Sequence, residues 1–370
     1  MDSLSKANGT FAIQVLKMLC QDRPSQNVFF SPLSISSALA MVLLGAKGNT
    51  KDQMAMSLNT EEDIHKGFQM LLTQVNMLGS KYLLTTANRL FGEKTYDFLS
   101  VNLISQPLSG HRCDVYSPWV QKKQLTEFVL FLKGKIPELL SMGSIDEQTR
   151  LVLVNAIYFQ GTWEETFDKA CTTEMTFKRD VWPVQMMWQQ ANFNFIYISE
   201  AQAKVLELPY AGKELSMIIL LPDEDSEYEP VILVFQVENN LTFEKFIAWT
   251  KAASLQNTEV EVFLPRFKLQ EDYEMKSVLQ RLGMVNAFQP GQAELCAMST
   301  ETDLCLSKVV HKSVVEVNEK GTEAVVGTAV NIVLFGSSCK PTFCADHPFL
   351  FFIRHNETNT VLFCGRFSSP

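Results

Sequence analysis

The chain has 370 residues, 46% of them hydrophobic, and a formal net charge of −9. This length and hydrophobic content allow a large buried core that does not depend on disulfides. The acidic balance and the absence of any lysine or arginine cluster exclude a surface built to neutralise nucleic-acid phosphates. No apolar stretch reaches the roughly eighteen residues of a membrane helix, so we expect a soluble protein with no nucleic-acid or membrane partner.

The sequence contains no feature that would mark an internal domain boundary, such as a Pro/Gly/Ser-rich linker, a repeat or a low-complexity tract. We therefore predict one mixed domain over residues 1–370. The first residues lack the basic start and apolar core of a cleaved signal peptide. The eight cysteines are then expected as free thiols in a reducing compartment, which predicts a cytoplasmic location, with unconventional release as the alternative.

The N-terminal segment is predicted to form a helix. Its apolar residues recur at helical spacing: Phe11, Val15, Met18 and Leu19. Asn8 and Thr10 are the candidate N-caps, and the helix should end at residues 22–24, where a proline follows Asp-Arg.

A second helix is predicted after residue 31. Ser31 can cap it, Pro32 suits its first turn, and Gly45 can end it. Because nearly every residue between these points is apolar, this helix should be central in the fold. Residues 85–92 and 151–163 then read as strands, the second apolar enough to be buried on both faces.

Two later stretches are harder to interpret. In the first, residues 101–132, Pro107, Gly110 and Pro118 interrupt the chain too often for a long regular element. The second, residues 230–236, has the composition of a strand.

Residues 319–348 carry the most informative pattern. From Thr322 to Leu334 every even position is uncharged, as in a strand with one face fit for burial. No proline interrupts residues 319–340, so every backbone N–H could join a sheet. Gly321 supplies a flexible pivot at the start. An ordinary buried strand is the alternative interpretation.

The flanks of this stretch, residues 317–324 and 343–349, resemble the hinge and the C-terminal strand of the serpin family, and residues 27–50 resemble it too. The resemblance covers most of the chain. It implies an α+β serpin fold of three β-sheets surrounded by about eight or nine helices, with an exposed reactive-centre loop at about 321–341. Residues 343–354 and 363–370 are most similar to intracellular ovalbumin-type (clade B) serpins, in particular the granzyme B inhibitor subgroup.

The resemblance implies that a serine protease attacks the loop as it would a substrate. The protease is then trapped as an acyl-enzyme when the cleaved loop inserts into the main sheet. The hinge would comprise Glu319, Gly321, Thr322, Glu323 and Ala324. Inhibitory relatives have alanines at residues 325–327, where this chain has Val-Val-Gly. A non-inhibitory serpin that is cleaved as a substrate, or that serves as a binding protein, is therefore the alternative.

The attacked bond has two candidate positions. Family spacing counted from the hinge gives Phe335 and Gly336, and counting back from Phe343 gives Leu334 and Phe335. Either bond presents a large apolar side chain, which suits a chymotrypsin-like protease. Cathepsin G and a granzyme other than granzyme B are the candidates, because no acidic residue lies near either bond.

The resemblance also assigns polar residues to the main sheet. Ser31, Ser34, Asn155 and His311 would form a buried cluster where its strands part. Trp163, Arg266 and Glu319 would form a latch where the loop first inserts.

No catalytic or cofactor motif is present, so we predict an inhibitor and not an enzyme. Cys344, Asp346 and His347 are too close in sequence to converge as a triad if they share one strand. Cys339 would add a third metal-binding side chain to Cys344 and His347, but no second close pair completes a zinc site. No metal or cofactor is predicted, and we expect a monomer.

Overall fold

In the computed structural model the described residues are 2–60, 64–75, 81–93, 96, 98, 111–116, 146, 148–178, 181–224, 229–251, 253–322 and 340–370. Seven α-helices lie in these ranges: α1 (Asp2–Asp22), α2 (Pro32–Gly45), α3 (Gly48–Ser57), α4 (Ile64–Val75), α5 (Pro230–Asn240), α6 (Phe243–Trp249) and α7 (Lys276–Arg281). Short 3-10 helices span Lys169–Cys171 and Asn286–Phe288. Among these residues no helix is long and apolar enough to cross a membrane.

The same ranges contain fifteen strands. They are β1 (Val28–Phe30), β2 (Tyr82–Glu93), β3 (His111–Tyr116), β4 (Leu151–Thr162), β5 (Thr173–Phe177), β6 (Trp182–Ile198), β7 (Ala203–Pro209), β8 (Leu215–Pro222), β9 (Gln256–Pro265), β10 (Phe267–Glu274), β11 (Leu306–Asn318), β12 (Gly321–Thr322), β13 (Thr342–Cys344), β14 (Phe349–His355) and β15 (Thr360–Phe367).

These strands form two hydrogen-bonded sheets. The six-stranded sheet has the order β10-β11-β12-β4-β2-β3, and β11 also pairs with β4. The nine-stranded sheet has the order β1-β15-β14-β8-β7-β6-β9-β13, with β5 paired to β6. Strand β6 is 17 residues long and pairs with β5, β9 and β7 at successive positions. The described strands therefore form two sheets where three were predicted, because β6 is long enough to pair with β5, β9 and β7 within one sheet. The predicted α+β architecture is confirmed.

Helix α2 lies at the centre, as its composition predicted. The Ser31 side chain accepts a hydrogen bond from the backbone N–H of Ser34, and Pro32 occupies the first turn. Every residue of the helix except Leu44 is buried. The helix packs against β4 and β15, so it supports both sheets from within the core.

The first helix ends at Asp22 as predicted, but its predicted caps are wrong. It begins at Asp2, and both candidate caps lie inside it. Asn8 is buried and donates from Nδ2 to the Val361 carbonyl at 2.9 Å. The Thr10 hydroxyl bonds back to the Lys6 carbonyl at 2.9 Å, a contact available to threonine within a helix.

Residues 230–236 were predicted as a strand, and this prediction is wrong. They form the start of helix α5, with Pro230 in its first turn. The buried residues of the helix fall on one face: Leu233, Val234, Val237 and Glu238. Tertiary packing of that face, together with proline at the start, outweighs the strand preference of the Val-Ile-Leu-Val composition.

The interrupted stretch contributes the short strand β3, which is parallel to β2. Pro107, Gly110 and Pro118 lie outside the described residues. Where the structure describes their side chains, the cysteines are free thiols: Cys20, Cys171, Cys296, Cys305, Cys344 and Cys364.

Candidate functional site

The site begins where β12 enters the six-stranded sheet between β11 and β4. Thr322 pairs with Val317 on β11 and with Gly161 on β4. Beyond this short strand, β11 and β4 pair directly and in parallel, from Leu306 to Val314 on β11. Two residues of the predicted hinge, Gly321 and Thr322, therefore lie between one end of β11 and β4.

Glycine is required at the first residue of β12. Gly321 has φ of +145°, in a region that side chains rarely adopt. A Cβ atom at this position would lie 2.1 Å from the Gly161 carbonyl oxygen and 2.7 Å from Thr162 Cα. The backbone of the hinge therefore contacts β4 directly, with no room for a side chain.

Thr322 is fully buried in the sheet. Its hydroxyl lies 2.9 Å from the phenol oxygen of Tyr210. The Tyr210 ring stacks on Trp163, with centroids 4.6 Å apart and planes 16° apart. Burial raises the pKa of Tyr210 far above its ordinary value, so the phenol stays protonated and can bond the hinge hydroxyl.

The backbone that leads into the hinge is held by the chain after β4. Trp163 donates from its backbone N–H to the Lys320 carbonyl at 2.8 Å, and from its indole Nε1 to the Asn318 carbonyl at 3.0 Å. Phe167 donates from its backbone N–H to the Glu319 carbonyl at 2.8 Å. Three donors thus fix three consecutive carbonyls of the turn between β11 and β12.

The structure brings together the three residues of the predicted latch. Arg266 Nη1 lies 3.6 Å from Glu319 Oε1, and the Glu319 side chain is buried while that of Arg266 is 47% exposed. The Thr172 hydroxyl makes the shorter contact with Glu319, at 2.9 Å. Thr172 was not foreseen from the sequence, because nothing in its neighbourhood marks it as a partner of a residue so far along the chain.

The four residues of the predicted cluster also come together, beneath the six-stranded sheet. His311 Nε2 accepts a hydrogen bond from the Ser31 backbone N–H at 3.1 Å. Its Nδ1 bonds to Asn155 Oδ1, and Asn155 Nδ2 donates to the Ser34 hydroxyl. Since Nε2 accepts, the ring is neutral and Nδ1 carries its proton.

Asn88 is a fifth member that sequence reasoning missed. Asn155 Nδ2 donates to its side-chain oxygen, and Asn88 Nδ2 donates to the Ser37 hydroxyl at 3.3 Å. Asn88 on β2 and His311 on β11 both face Asn155 on β4 in register. The usable signal was an amide within a predicted strand, since a buried amide requires a polar partner.

Comparison with known proteins places the chain in a family. The model of the family Serpin (serine protease inhibitor) matches residues 6–370. The chain is a serpin. Among its relatives, Serpin B9 of Homo sapiens is 58% identical, and the alignment covers 100% of both chains. The leukocyte elastase inhibitor of Homo sapiens is 47% identical over the same shares. Among solved structures, uncleaved ovalbumin matches with a TM-score of 0.88 and 33% identity, covering 100% of both chains.

Much of the predicted reactive-centre loop, at about residues 321–341, lies outside the described residues, which stop at Thr322 and resume at Lys340. Both candidate scissile bonds, formed by Leu334, Phe335 and Gly336, fall in that interval, as do Glu323, Ala324 and Cys339. On the far side, Lys340 Nζ lies 2.8 Å from Glu259 Oε2. Strand β13 then pairs in parallel with β9. The two ends of the loop are therefore fixed in different sheets.

The segment after β13 differs from its prediction. Cys344, Asp346 and His347 do not share one strand, because β13 ends at Cys344 and β14 begins at Phe349. Asp346 and His347 lie in the bend between these strands, where Asp346 Oδ1 is 2.8 Å from His347 Nδ1. Burial, with Asp346 nearby, raises the pKa of the Cys344 thiol to about 12. That thiol is not a nucleophile at neutral pH.

Acid should destabilise this serpin partly through His311. Burial lowers the pKa of His311 to about 3, whereas an unfolded histidine has a pKa of about 6.5. The unfolded chain therefore takes up the proton first, and stability is lost as the pH falls below about 6.5. At about pH 5 we expect this residue to account for a loss of about 2 kcal/mol, measured by urea unfolding against about pH 7.

The variant His311→Gln keeps a donor and an acceptor but cannot bind the proton, so it should lack this part of the pH dependence. An equal acid loss in the variant and the natural protein would contradict the assignment.

Proposed function

We propose that this serpin is a suicide inhibitor of a chymotrypsin-like serine protease in the cytoplasm. The observation that carries the proposal is strand β12, in which Gly321 and Thr322 are already paired between β11 and β4. Because insertion has a starting point, the loop can continue along the same gap after cleavage. Each further residue would add backbone hydrogen bonds on both sides.

The first chemical step belongs to the protease. Its serine attacks the bond after Phe335, or after Leu334 in the alternative register, and forms an acyl-enzyme. A large apolar side chain suits the deep pocket of chymotrypsin-like enzymes better than the small pocket of elastases. Cathepsin G and a granzyme other than granzyme B fit this requirement. The chain would act on them as a monomer.

In the second step, hydrolysis of the acyl-enzyme competes with insertion of the cleaved loop into the six-stranded sheet. A dozen inserted residues at about 3.3 Å each would move the attached protease on the order of 40 Å. For this to occur, β11 must separate from β4 where they now pair directly. We assign the cluster around His311 to this step, because its bond to Asn155 crosses between those two strands.

The latch has a smaller role in this scheme. Arg266 is about half exposed, so its ion pair with Glu319 contributes little to stability. The bonds from Trp163 and Thr172 hold the turn before the hinge, so that Gly321 enters the sheet in register.

Incubation with chymotrypsin and with cathepsin G tests the proposal. We expect a covalent complex that survives SDS, and mass spectrometry of the released C-terminal peptide should identify the cut bond. Trypsin, whose pocket requires a basic residue, is the matched control, because residues 321–338 contain no lysine or arginine. Complete cleavage of the loop with the protease left active would instead support the non-inhibitory alternative.

A further inference from the structure

A polar cavity lies on one face of the nine-stranded sheet, and none of its lining residues belongs to the hinge, the latch or the cluster around His311. Its volume is about 190 Å³, which is the room that about six water molecules occupy in the liquid. Strands β6 to β9 and the residue after β14 supply its polar side chains: Asn192, Asn194, Glu207, Ser216, Asn257 and Asn356. The cavity meets solvent at Asn192 and Asn257, which are both exposed.

Sheet register brings one wall of this cavity together. Asn194 on β6 lies opposite Glu207 on β7 and opposite Asn257 on β9, and residues paired across strands share a face. Asn194 Nδ2 donates to Glu207 Oε2 at 2.9 Å, and Asn257 Nδ2 donates to Asn194 Oδ1 at 3.2 Å. These bonds fix the orientation of the two amides, so the wall is formed before any ligand arrives.

Other lining groups keep hydrogen-bonding capacity that the protein does not use. Asn356 Nδ2 donates to the Ser216 hydroxyl at 2.8 Å and to the Lys213 carbonyl at 2.9 Å. Ser216 is only 1% exposed, yet its hydroxyl hydrogen has no acceptor among the described residues. The Asn192 amide likewise has no hydrogen-bond partner within the described ranges. Because buried polar groups are normally satisfied, whatever fills the cavity must accept from Ser216.

The charges of the cavity favour a neutral occupant. The buried Glu207 carboxylate is matched by Arg354, with Oε1 and Nη2 3.1 Å apart. Lys213, the other charged residue of the lining, is exposed, so water and salt screen its ammonium. An apolar occupant would remove water from Ser216 and Asn192 without replacing the hydrogen bonds. The occupant should therefore be uncharged and rich in groups that both donate and accept.

We propose that this cavity binds one neutral sugar ring, a hexopyranose, either as a free monosaccharide or as the end residue of a glycan. Each sugar hydroxyl both donates and accepts, so adjacent hydroxyls can pair with the amides of Asn192 and Asn257 while one accepts from Ser216. Sites for drug-sized ligands start at about 300 Å³, so this cavity suits a single ring. The site goes beyond the proposed inhibition and does not depend on loop insertion.

Saturation-transfer NMR on the intact protein tests the site, with D-glucose, D-galactose, D-mannose and N-acetyl-D-glucosamine titrated one at a time. We expect at least one of them to bind saturably with a Kd of about 1 mM, the range for a ligand this small. Asn192→Ala and Ser216→Ala should each weaken that binding about tenfold, the scale of one lost hydrogen bond. Heat stability is a poor readout here, because sugars stabilise folded proteins by exclusion from their surface.

The matched control is Asn239→Ala. Asn239 is an exposed asparagine on α5 outside the cavity lining, so this variant should bind the sugar as the natural protein does. The site is overturned if none of the four sugars binds with a Kd below about 20 mM, or if binding survives both Asn192→Ala and Ser216→Ala. Asn192 is exposed and without a partner among the described residues, so its variant keeps the test decisive if Ser216→Ala does not fold.

A disaccharide with the best-binding sugar at its non-reducing end separates the two sources of the ring. Binding retained by the disaccharide supports the end residue of a glycan as the ligand. Binding lost in the disaccharide but kept by the monosaccharide supports the free sugar.

Discussion

Replacing Thr322 by arginine is expected to convert this serpin from an inhibitor into a substrate. The Thr322 side chain is fully buried within the six-stranded sheet, and its hydroxyl bonds to Tyr210. A guanidinium there would face the stacked rings of Tyr210 and Trp163 with no carboxylate partner among the contacts described for Thr322. An uncompensated buried charge costs about 3 kcal/mol or more. Added to the barrier for loop insertion, this cost slows insertion roughly a hundredfold.

Hydrolysis of the acyl-enzyme would then finish before insertion. The measurement is the fraction of chymotrypsin captured as an SDS-stable complex, which should fall to near zero while loop cleavage continues. Thr322→Ser, which keeps the hydroxyl and the small size, should retain complex formation. Undiminished trapping by Thr322→Arg would show that an uncharged, buried side chain at this position is not needed for loop insertion.

Loss of the carboxylate of Glu238 is expected to cause the largest fall in stability. Glu238 on helix α5 and Arg366 on β15 are both buried, and Arg366 Nη1 lies 2.9 Å from Glu238 Oε1. Arg366 also donates to the carbonyls of Gln26, at 2.9 Å, and Arg23. Glu238→Ala removes the charge partner and leaves the guanidinium buried, which costs about 3–5 kcal/mol.

Urea unfolding measures this loss, and Glu316→Ala is the control. Glu316 pairs with Lys268 at 3.5 Å on the surface, where both side chains are at least 36% exposed. Exposed pairs are worth less than about 1 kcal/mol, so the control should unfold at nearly the natural urea concentration. Equal effects of the two substitutions would contradict the distinction between buried and exposed pairs.

Local sequence chemistry predicted those parts of the fold that depend on neighbours in the chain. Helix α2 follows from a capping serine, an early proline and a glycine at its end, all of which act within the helix. The hinge follows in part from the glycine and from the alternation after it. The strand prediction for residues 230–236 failed because composition alone does not reveal which face of α5 the core will bury.

The site shows the same division. Ser31, Ser34, Asn155 and His311 were placed by family resemblance, and the structure brings them together. Asn88, Thr172 and Tyr210 were missed because each acts through a partner far along the chain, such as Thr322, which is 112 positions from Tyr210. Their roles arise from sheet register, which no short window of sequence contains.

The direct pairing of β11 with β4 has a consequence for how this chain folds. His311 and Asn155 are 156 positions apart, whereas Val317 and Thr322 are joined by a tight turn. Local hairpins close within microseconds, and pairing between distant segments is much slower. The hairpin begun by β11 and β12 is thus free to lengthen before β4 arrives. To reach the active form, the chain must therefore pair β11 with β4, which is slow, before the hairpin of β11 and β12, which forms fast, has lengthened along β11.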